Sequence, residues 1–291
     1  MPRIDDLILD CTIYLYPSVA DAEDGKSVGG TGFLVGVLSE VHQNYYHVYA
    51  VTTSHVIREG MSPVIRLNTK DGSKDVLRRE LGDWKHHTEG DDLAICPIDL
   101  SERYQYLFIA TDLFLDREMV TRYRLGPGED VFMVGRFVNH EGRQKNLPTV
   151  RFGNIAMMPF EPMRTKSGIM QESFLIECRS LGGYSGSPVF VWILPGTHRP
   201  WYAGGYSFKG QSLEGPWLLG IDWCHLPNYE PIYQSDKETR VAGNWVARSN
   251  TGMAGVIPAW RLFDFLNIGE LVVQRRQKDE RITREKEGGS S

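Results

Sequence analysis

Several features that mark large classes of protein are missing or scarce in this sequence, and each shortage excludes something. No run of about eighteen apolar residues occurs in the 291 positions, so no membrane-spanning helix and no membrane partner are expected. The amino terminus, MPRIDDLILDCTIYLYPS, carries acidic residues within its short apolar run and lacks a cationic start leading into a long apolar core. It reads as a folded strand rather than a secretory leader. Cysteine is sparse: Cys11, Cys96, Cys178 and Cys224 are well separated and none sits in a CxxC pair, which removes the common zinc and dithiol signatures. Cys96 and Cys178 fall in apolar strand-like runs, where a reduced buried thiol is expected, while a disulfide between Cys178 and Cys224 stays open. With no leader and no disulfide framework, the expected setting is the reducing cytoplasm. Basic charge is in deficit, 32 Lys and Arg against 37 Asp and Glu for a net charge of -5, so nucleic acid is not an expected partner. Repeats at a fixed solenoid period are absent as well.

What is present is an ordinary globular composition, 41% hydrophobic, 11% aromatic and 24% charged, in a chain long enough for a sizeable core. The runs ILDCTIYLY, GFLVGVL, YYHVYAVTT, PVIRL, DLAICPI, VFMVGRF, SFLIEC, SPVFVWI and PWLLGIDW are rich in β-branched and aromatic residues and are broken by Gly, Pro and Asn. Many short strands predict an all-β barrel or sandwich. A helix is expected from about Pro258 through PAWRLFDFLN, with Trp260, Leu262, Phe263 and Leu266 on one apolar face. Between Leu100 and Arg124 the pattern is mixed, which places a connection there. The expected organisation is an N-terminal β unit over 1–110, a second over 111–272 ending in a helix, and a charged tail over 273–291. The tail, QRRQKDERITREKE, predicts a frayed helix or a disordered segment that does no chemistry.

LGGYSGSPVF places Ser185 in a turn of small residues directly before an apolar strand, a setting suited to a nucleophile. Gly183 and Gly186 permit the tight turn, and the backbone amides of Gly183 and Ser185 can converge on one point to stabilise a tetrahedral oxyanion. Ser187 occupies the last position of what would be GxSxG, which weighs against the nucleophile elbow of an α/β-hydrolase. A serine hydroxyl needs a base, and His55 in VYAVTTSHVI lies at the end of a strand-like run from which it can enter a cleft. The base needs an orienting carboxylate. Asp92 in GDDLAICPI is preferred to its neighbour Asp91 because it directly precedes the apolar Leu-Ala-Ile run. Singly, a serine beside glycines is usually a turn and a strand-end histidine is usually structural; their order, His, Asp, Ser, is what joins them into one catalytic triad.

With GGTGFLVG, TTSHVI, DDLAI, GYSGSPVF and LLGIDW in that order, the chain resembles the chymotrypsin-like serine proteases across most of residues 29 to 267. GGYSGSP and GIDW are similar to the bacterial glutamyl endopeptidases, and LGPGEDVFMVG, FGNIAM and AGVIPAWRLFDFL to the high-temperature-requirement proteases. The resemblance implies two six-stranded antiparallel β-barrels with a cleft between them, His55 and Asp92 on the first and Ser185 on the second. It also implies trypsin-like endopeptidase chemistry through an acyl-enzyme, a protein or peptide substrate, and no cofactor or metal.

By the same resemblance, RSLGG, with Arg179 and Ser180, and the Asp222-Trp223 segment line the substrate pocket. Asp222 replaces the histidine with which glutamyl endopeptidases receive acidic side chains, so an open Asp222 implies Lys or Arg before the scissile bond and an open Arg179 implies Asp or Glu. Pairing of the two charges, or their facing elsewhere, leaves an apolar or small pocket. Departures from the family pattern are equally specific. Val56 stands where secreted members often carry cysteine, and Tyr184 stands where the zymogen trigger uses aspartate, so activation by a cut amino terminus is not expected. An unrestrained cytoplasmic protease would be harmful, so narrow specificity or an activating protein partner is expected.

His86 and His87 beside Glu89 and the two aspartates read as a solvated loop rather than a metal site, since adjacent extended residues point apart and no HExxH helix accompanies them. The aromatics in CHLPNYEPIYQ read as loop cover more readily than as a peptide-recognition surface. The alternative of another class is a catalytically silent or weak module of the protease fold that binds a protein segment in a stress or defence system.

Overall fold

The computed structural model describes residues 3–27, 29–137, 142–164, 168, 170–178, 183–193, 215–233 and 245–288. In the N-terminal half the strand-like runs become β1 (Thr12–Tyr16), β2 (Thr31–Leu38), β3 (Tyr46–Thr52), β4 (Val64–Thr69), β5 (Lys74–Leu77), β6 (Lys85–His86) and β7 (Ala94–Ile98). They form a half-barrel sheet in the order β5-β4-β1-β2-β3-β7-β6, to which β8 (Tyr104–Gln105) adds on β4 and β9 (Ile109–Ala110) adds parallel to β2. Short helices α1 (Val19–Asp24) and α2 (Ser54–Arg58) follow β1 and β3. The chain then crosses to the second half through a 3₁₀ turn at Thr111–Leu113 and a bridge between Phe114 and Leu218, followed by α3 (Arg117–Arg122).

The second half contains β10 (Asp130–Gly135), β11 (Thr149–Met157), the small hairpin β12 (Met163–Arg164) and β13 (Met170–Gln171), β14 (Phe174–Glu177), β15 (Pro188–Val191), β16 (Trp217–Pro231) and β17 (Val246–Pro258). Six of these close into a barrel, β10-β11-β14-β17-β16-β15. The expected pair of barrels therefore differs in closure. The second is a closed six-stranded barrel, whereas among the described residues the first is a nine-stranded sheet whose ends β5 and β6 do not pair. The connection between those ends contains a short turn in which Glu80 N–H donates to Asp83 Oδ2 at 2.8 Å and Asp83 N–H to the Glu80 carbonyl at 3.1 Å.

Strand alternation joins the halves. In β2 and β3, Leu34 and Ala50 face the core of the first sheet, while Phe33, Val35, Tyr49 and Val51 face Phe132, Phe190, Leu218 and Ile257 of the second half. Burial of each such side chain stabilises the fold by roughly 1.5–3 kcal/mol, so the junction is an apolar core rather than a wet interface. A third cluster fills the closed barrel with Val131, Met133, Ile155, Ile176, Val189 and Val256.

Helix α4 (Ala259–Leu266) begins after Pro258 as the pattern predicts, but its buried face is Ala259, Trp260, Leu262, Phe265 and Leu266. Phe263, expected on that face, is exposed, and Phe265 is buried in its stead. The charge-dense run after Val273 belongs to α5 (Gly269–Gly288), a 20-residue helix rather than a disordered tail. It has no apolar stripe over most of its length and docks through polar contacts that composition does not reveal. His47 Nε2 lies 3.0 Å from Asp279 Oδ1 with both side chains buried, Lys278 pairs with Asp99, Lys85 with Glu270, and Arg275 Nη1 donates to the Leu266 carbonyl at 2.7 Å. Burial pushes the His47 pKa below its ordinary value, outweighing the opposing Asp279 charge. Among the described residues no helix is long and apolar enough to cross a membrane.

All four cysteines are free, so the Cys178–Cys224 disulfide does not form. Burial pushes the thiols of Cys11 and Cys178 up to about 12 and that of Cys96 to about 11, which leaves them protonated and unreactive near neutrality.

Candidate active site

β3 ends at Thr52 and the chain turns at once into α2, which carries His55 to the edge of the first sheet. Asp92 reaches it from the segment before β7 and holds it at two points, accepting from the His55 backbone N–H through Oδ1 at 2.8 Å and meeting the ring Nδ1 through Oδ2 at 2.6 Å. With Asp92 ionised, Nδ1 carries the proton and Nε2 is left with its lone pair. Burial is the largest single influence on the His55 pKa and opposes protonation. The Asp92 hydrogen bond and charge, with smaller contributions from Glu59 and Asp222, outweigh it and hold the pKa above the ordinary value.

Asp91, the competitor in the sequence, faces the other way. Its Oδ2 accepts from Arg261 Nε at 2.6 Å, its Oδ1 accepts from Gln171 Nε2 at 3.0 Å, and His87 Nδ1 lies 3.3 Å away. His86 turns instead to Ser54 Oγ at 2.7 Å, so the two adjacent histidines do not share a site. Among the described residues no group of three or more His, Cys, Asp or Glu is arranged to hold a metal ion.

Ser185 stands on a loop of the closed barrel between two glycines of left-handed backbone, Gly183 at φ 95° and Gly186 at φ 87°. Gly186 is required twice over, since a Cβ there would lie 2.1 Å from the Thr31 carbonyl oxygen and 2.3 Å from Thr52 Oγ1. The loop is fastened to the opposite half by Thr31, whose N–H donates to the Ser185 carbonyl at 3.0 Å and whose hydroxyl donates to the Gly183 carbonyl at 2.6 Å. Thr52 Oγ1 in turn donates to the Thr31 carbonyl at 2.7 Å. The position of a Gly30 Cβ would be flanked by Val56 Cγ2 at 2.6 Å and the Ser185 carbonyl oxygen at 3.1 Å, so the residue after His55 and the backbone of Ser185 meet at one point. The Tyr184 carbonyl accepts from Ser187 N–H at 2.8 Å; in a planar trans peptide this turns the Ser185 N–H to the opposite side. Tyr184 itself is fully buried, its hydroxyl bonded to Thr149 Oγ1 and its ring 5.1 Å from the Arg151 guanidinium.

Asp222 and Trp223 follow on β16. The backbone of Asp222 is bonded to the serine loop, its carbonyl accepting from Gly186 N–H at 2.8 Å and its N–H donating to the Ser187 carbonyl at 2.9 Å, while the residue as a whole is 1% exposed. Trp223 is likewise buried, with its indole N–H donating to Ser173 Oγ at 3.0 Å. Neither side chain presents an open surface to a ligand. Arg179 and Ser180 lie outside the described residues.

The chain is similar to Deg5, with a TM-score of 0.41 and 14% identity over 75% of this chain and 81% of that one. It is similar to the Rv3671c protease in an inactive form, with a TM-score of 0.44 and 12% identity over 89% and 88% of the two chains. A third similarity is to the HtrA-type protease AlgW with a decapeptide, with a TM-score of 0.42 and 15% identity over 81% of this chain and 50% of that one. No protein-family model matches the chain and no curated protein matches its sequence. The likeness in every case is distant, and the chemistry of the site rests on its own geometry.

Thr31, Thr52, Gln171 and Arg261 were not foreseen as site residues. Thr31 sits within GGTGFLVG, where the crowding of glycines marks a close backbone approach. Gln171 and Arg261 carry no local signal, since their partners lie 79 to 170 positions away along the chain.

Proposed function

We propose that this chain is a serine endopeptidase of trypsin-like chemistry that cuts protein or peptide substrates through an acyl-enzyme. The observation that carries the reading is the two-point hold of Asp92 on His55, with the glycine-flanked Ser185 loop docked beside Val56. His55 Nε2 takes the proton from Ser185 Oγ as the oxygen attacks the scissile carbonyl carbon, and the amides of Gly183 and Ser185 receive the developing oxyanion. The imidazolium, supported by the ionised Asp92, then gives its proton to the departing amine. Water enters, loses a proton to His55, attacks the acyl carbon and releases the acid while Ser185 recovers its proton.

The buried Asp222 acts on this chemistry through its charge on His55 rather than as a receptor for a basic side chain, which makes the pocket apolar or small. Four free thiols support a reducing, cytoplasmic setting, and in that setting restraint falls to narrow substrate choice or an activating protein partner. The test is hydrolysis of a peptide library by the wild-type chain and by Ser185→Ala. Internal cleavage that disappears in a folded Ser185→Ala protein is expected, and undiminished cleavage by that variant would remove Ser185 from the role.

A further inference from the structure

Asp92 must present one face of a carboxylate to His55, and its orientation depends on the peptide plane that joins it to Asp91. That plane is pinned at both ends. The Asp92 N–H donates to Gln171 Oε1 at 3.0 Å, and the Asp91 carbonyl accepts from Leu93 N–H at 2.7 Å. That bond closes a tight turn with Asp92 at its centre, and Asp91 and Asp92 share the pinned peptide, so whatever fixes Asp91 also constrains the direction of Asp92. Asp91 is fixed by two residues from the other half of the molecule, Gln171 on β13 and Arg261 on α4.

We infer that Gln171 and Arg261 are positioning residues that aim Asp92 at His55, an inference that rests on the proposed hydrolytic reading of the same site. Gln171 is fully buried and uses both its donors and its acceptor oxygen here: Oε1 accepts from Asp92 N–H, and Nε2 donates to Asp91 Oδ1 at 3.0 Å and to the Glu172 carbonyl at 3.1 Å. The side-chain amide accepts from a backbone N–H and donates to a carboxylate at the same time, which an ionised carboxylate cannot do. Glutamate has the same shape but turns the Asp91 contact into a repulsion between two carboxylates. Arg261 completes the support from the far side, its Nε on Asp91 at 2.6 Å and its Nη2 on Glu89 at 3.3 Å. The brace thus ties the His55–Asp92 pair in the first half to β13 and α4 in the second, which also supplies Ser185, so the two parts of the site are kept in register across the cleft.

The diagnostic variants are Gln171→Glu and Arg261→Lys, measured beside wild type and Asp92→Asn. In Gln171→Glu, kcat should fall about ten- to a hundred-fold, as expected for loss of a hydrogen bond to a charged group, with KM little changed and the acid limb of the kcat/KM profile displaced from its wild-type position. Arg261→Lys keeps the charge and should retain more activity than Arg261→Met. The low-field proton resonance of His55 Nδ1–H, which needs no turnover, should shift in Gln171→Glu and vanish in Asp92→Asn. An unchanged resonance and pH profile in a folded Gln171→Glu protein would overturn the brace while leaving the protease reading intact. Absence of both hydrolysis and fluorophosphonate labelling of Ser185 in the wild-type chain, with the resonance shift still present in Gln171→Glu, would overturn the protease reading and leave the brace standing.

Discussion

Replacement of Asp92 by asparagine perturbs the candidate site at its best-defined point. The two oxygens of Asp92 serve two donors, the His55 amide at 2.8 Å and the ring Nδ1 at 2.6 Å. Asparagine has one acceptor oxygen. If it stays on the amide, the side-chain NH₂ faces the ring and favours the tautomer with the proton on Nε2, which cannot take the proton from Ser185. The side chains of His55 and Asp92 are only 31% and 16% exposed, so an effective dielectric near 20 applies, and charge centres roughly 4 Å apart attract by about 4 kcal/mol. The lost charge-assisted hydrogen bond is largely contained in that figure, giving an expected loss of 4 to 5 kcal/mol, or about 10³- to 10⁴-fold in kcat/KM. Steady-state hydrolysis of a peptide substrate by both proteins measures the loss, and ¹⁵N spectra of the ring report the tautomer. Because Asp92 holds the His55 pKa up and the base must be neutral to act, the acid limb of the variant should also lie at lower pH than that of wild type. Activity within ten-fold of wild type, with the Nδ1–H tautomer retained, would refute the assignment of Asp92 as the orienting group.

Two further outcomes follow from the loop and the buried charge beside it. Gly186→Ala forces a left-handed backbone on a residue with a Cβ and drives that atom to within 2.1 Å of the Thr31 carbonyl oxygen, so unfolding in urea should show a loss of at least about 1–3 kcal/mol; a midpoint equal to wild type would contradict the docking of the loop on Thr31. Asp222→Asn removes a charge that raises the His55 pKa, so the acid limb of kcat/KM should move to lower pH while the residue preference before the scissile bond stays the same; loss of a preference for Lys or Arg in that variant would show the carboxylate to be a substrate receptor after all.

Local chemistry made part of this site legible in the sequence. Ser185 stands out because the left-handed turns at residues 183 and 186 demand glycine on either side, and His55 and Asp92 because each borders an apolar strand. The preference for Asp92 over Asp91 rested on which of them enters the strand, and in the structure it is Asp92 that lies against His55. Runs rich in β-branched and aromatic residues likewise mark most of the strands. What escaped the sequence depends on distant partners. Whether the end strands β5 and β6 pair is not written in either strand, and the docking of the charged C-terminal run uses anchors such as His47 and Asp99. In α4 the composition of PAWRLFDFLN marks the helix but not which phenylalanine is buried: Phe265 packs inward and Phe263 faces out. The pocket expectation for Asp222 and Trp223 stopped at their position on β16; their burial comes from packing against the serine loop and Ser173, which no local pattern encodes.

The central claim is that His55 and Asp92 make Ser185 a nucleophile, and covalent labelling with a fluorophosphonate tests it most directly. The account predicts one adduct, mapped by mass spectrometry to Ser185, absent from Ser185→Ala and strongly slowed in His55→Ala. An adduct on another residue, or labelling of Ser185 that proceeds equally without His55, would contradict it.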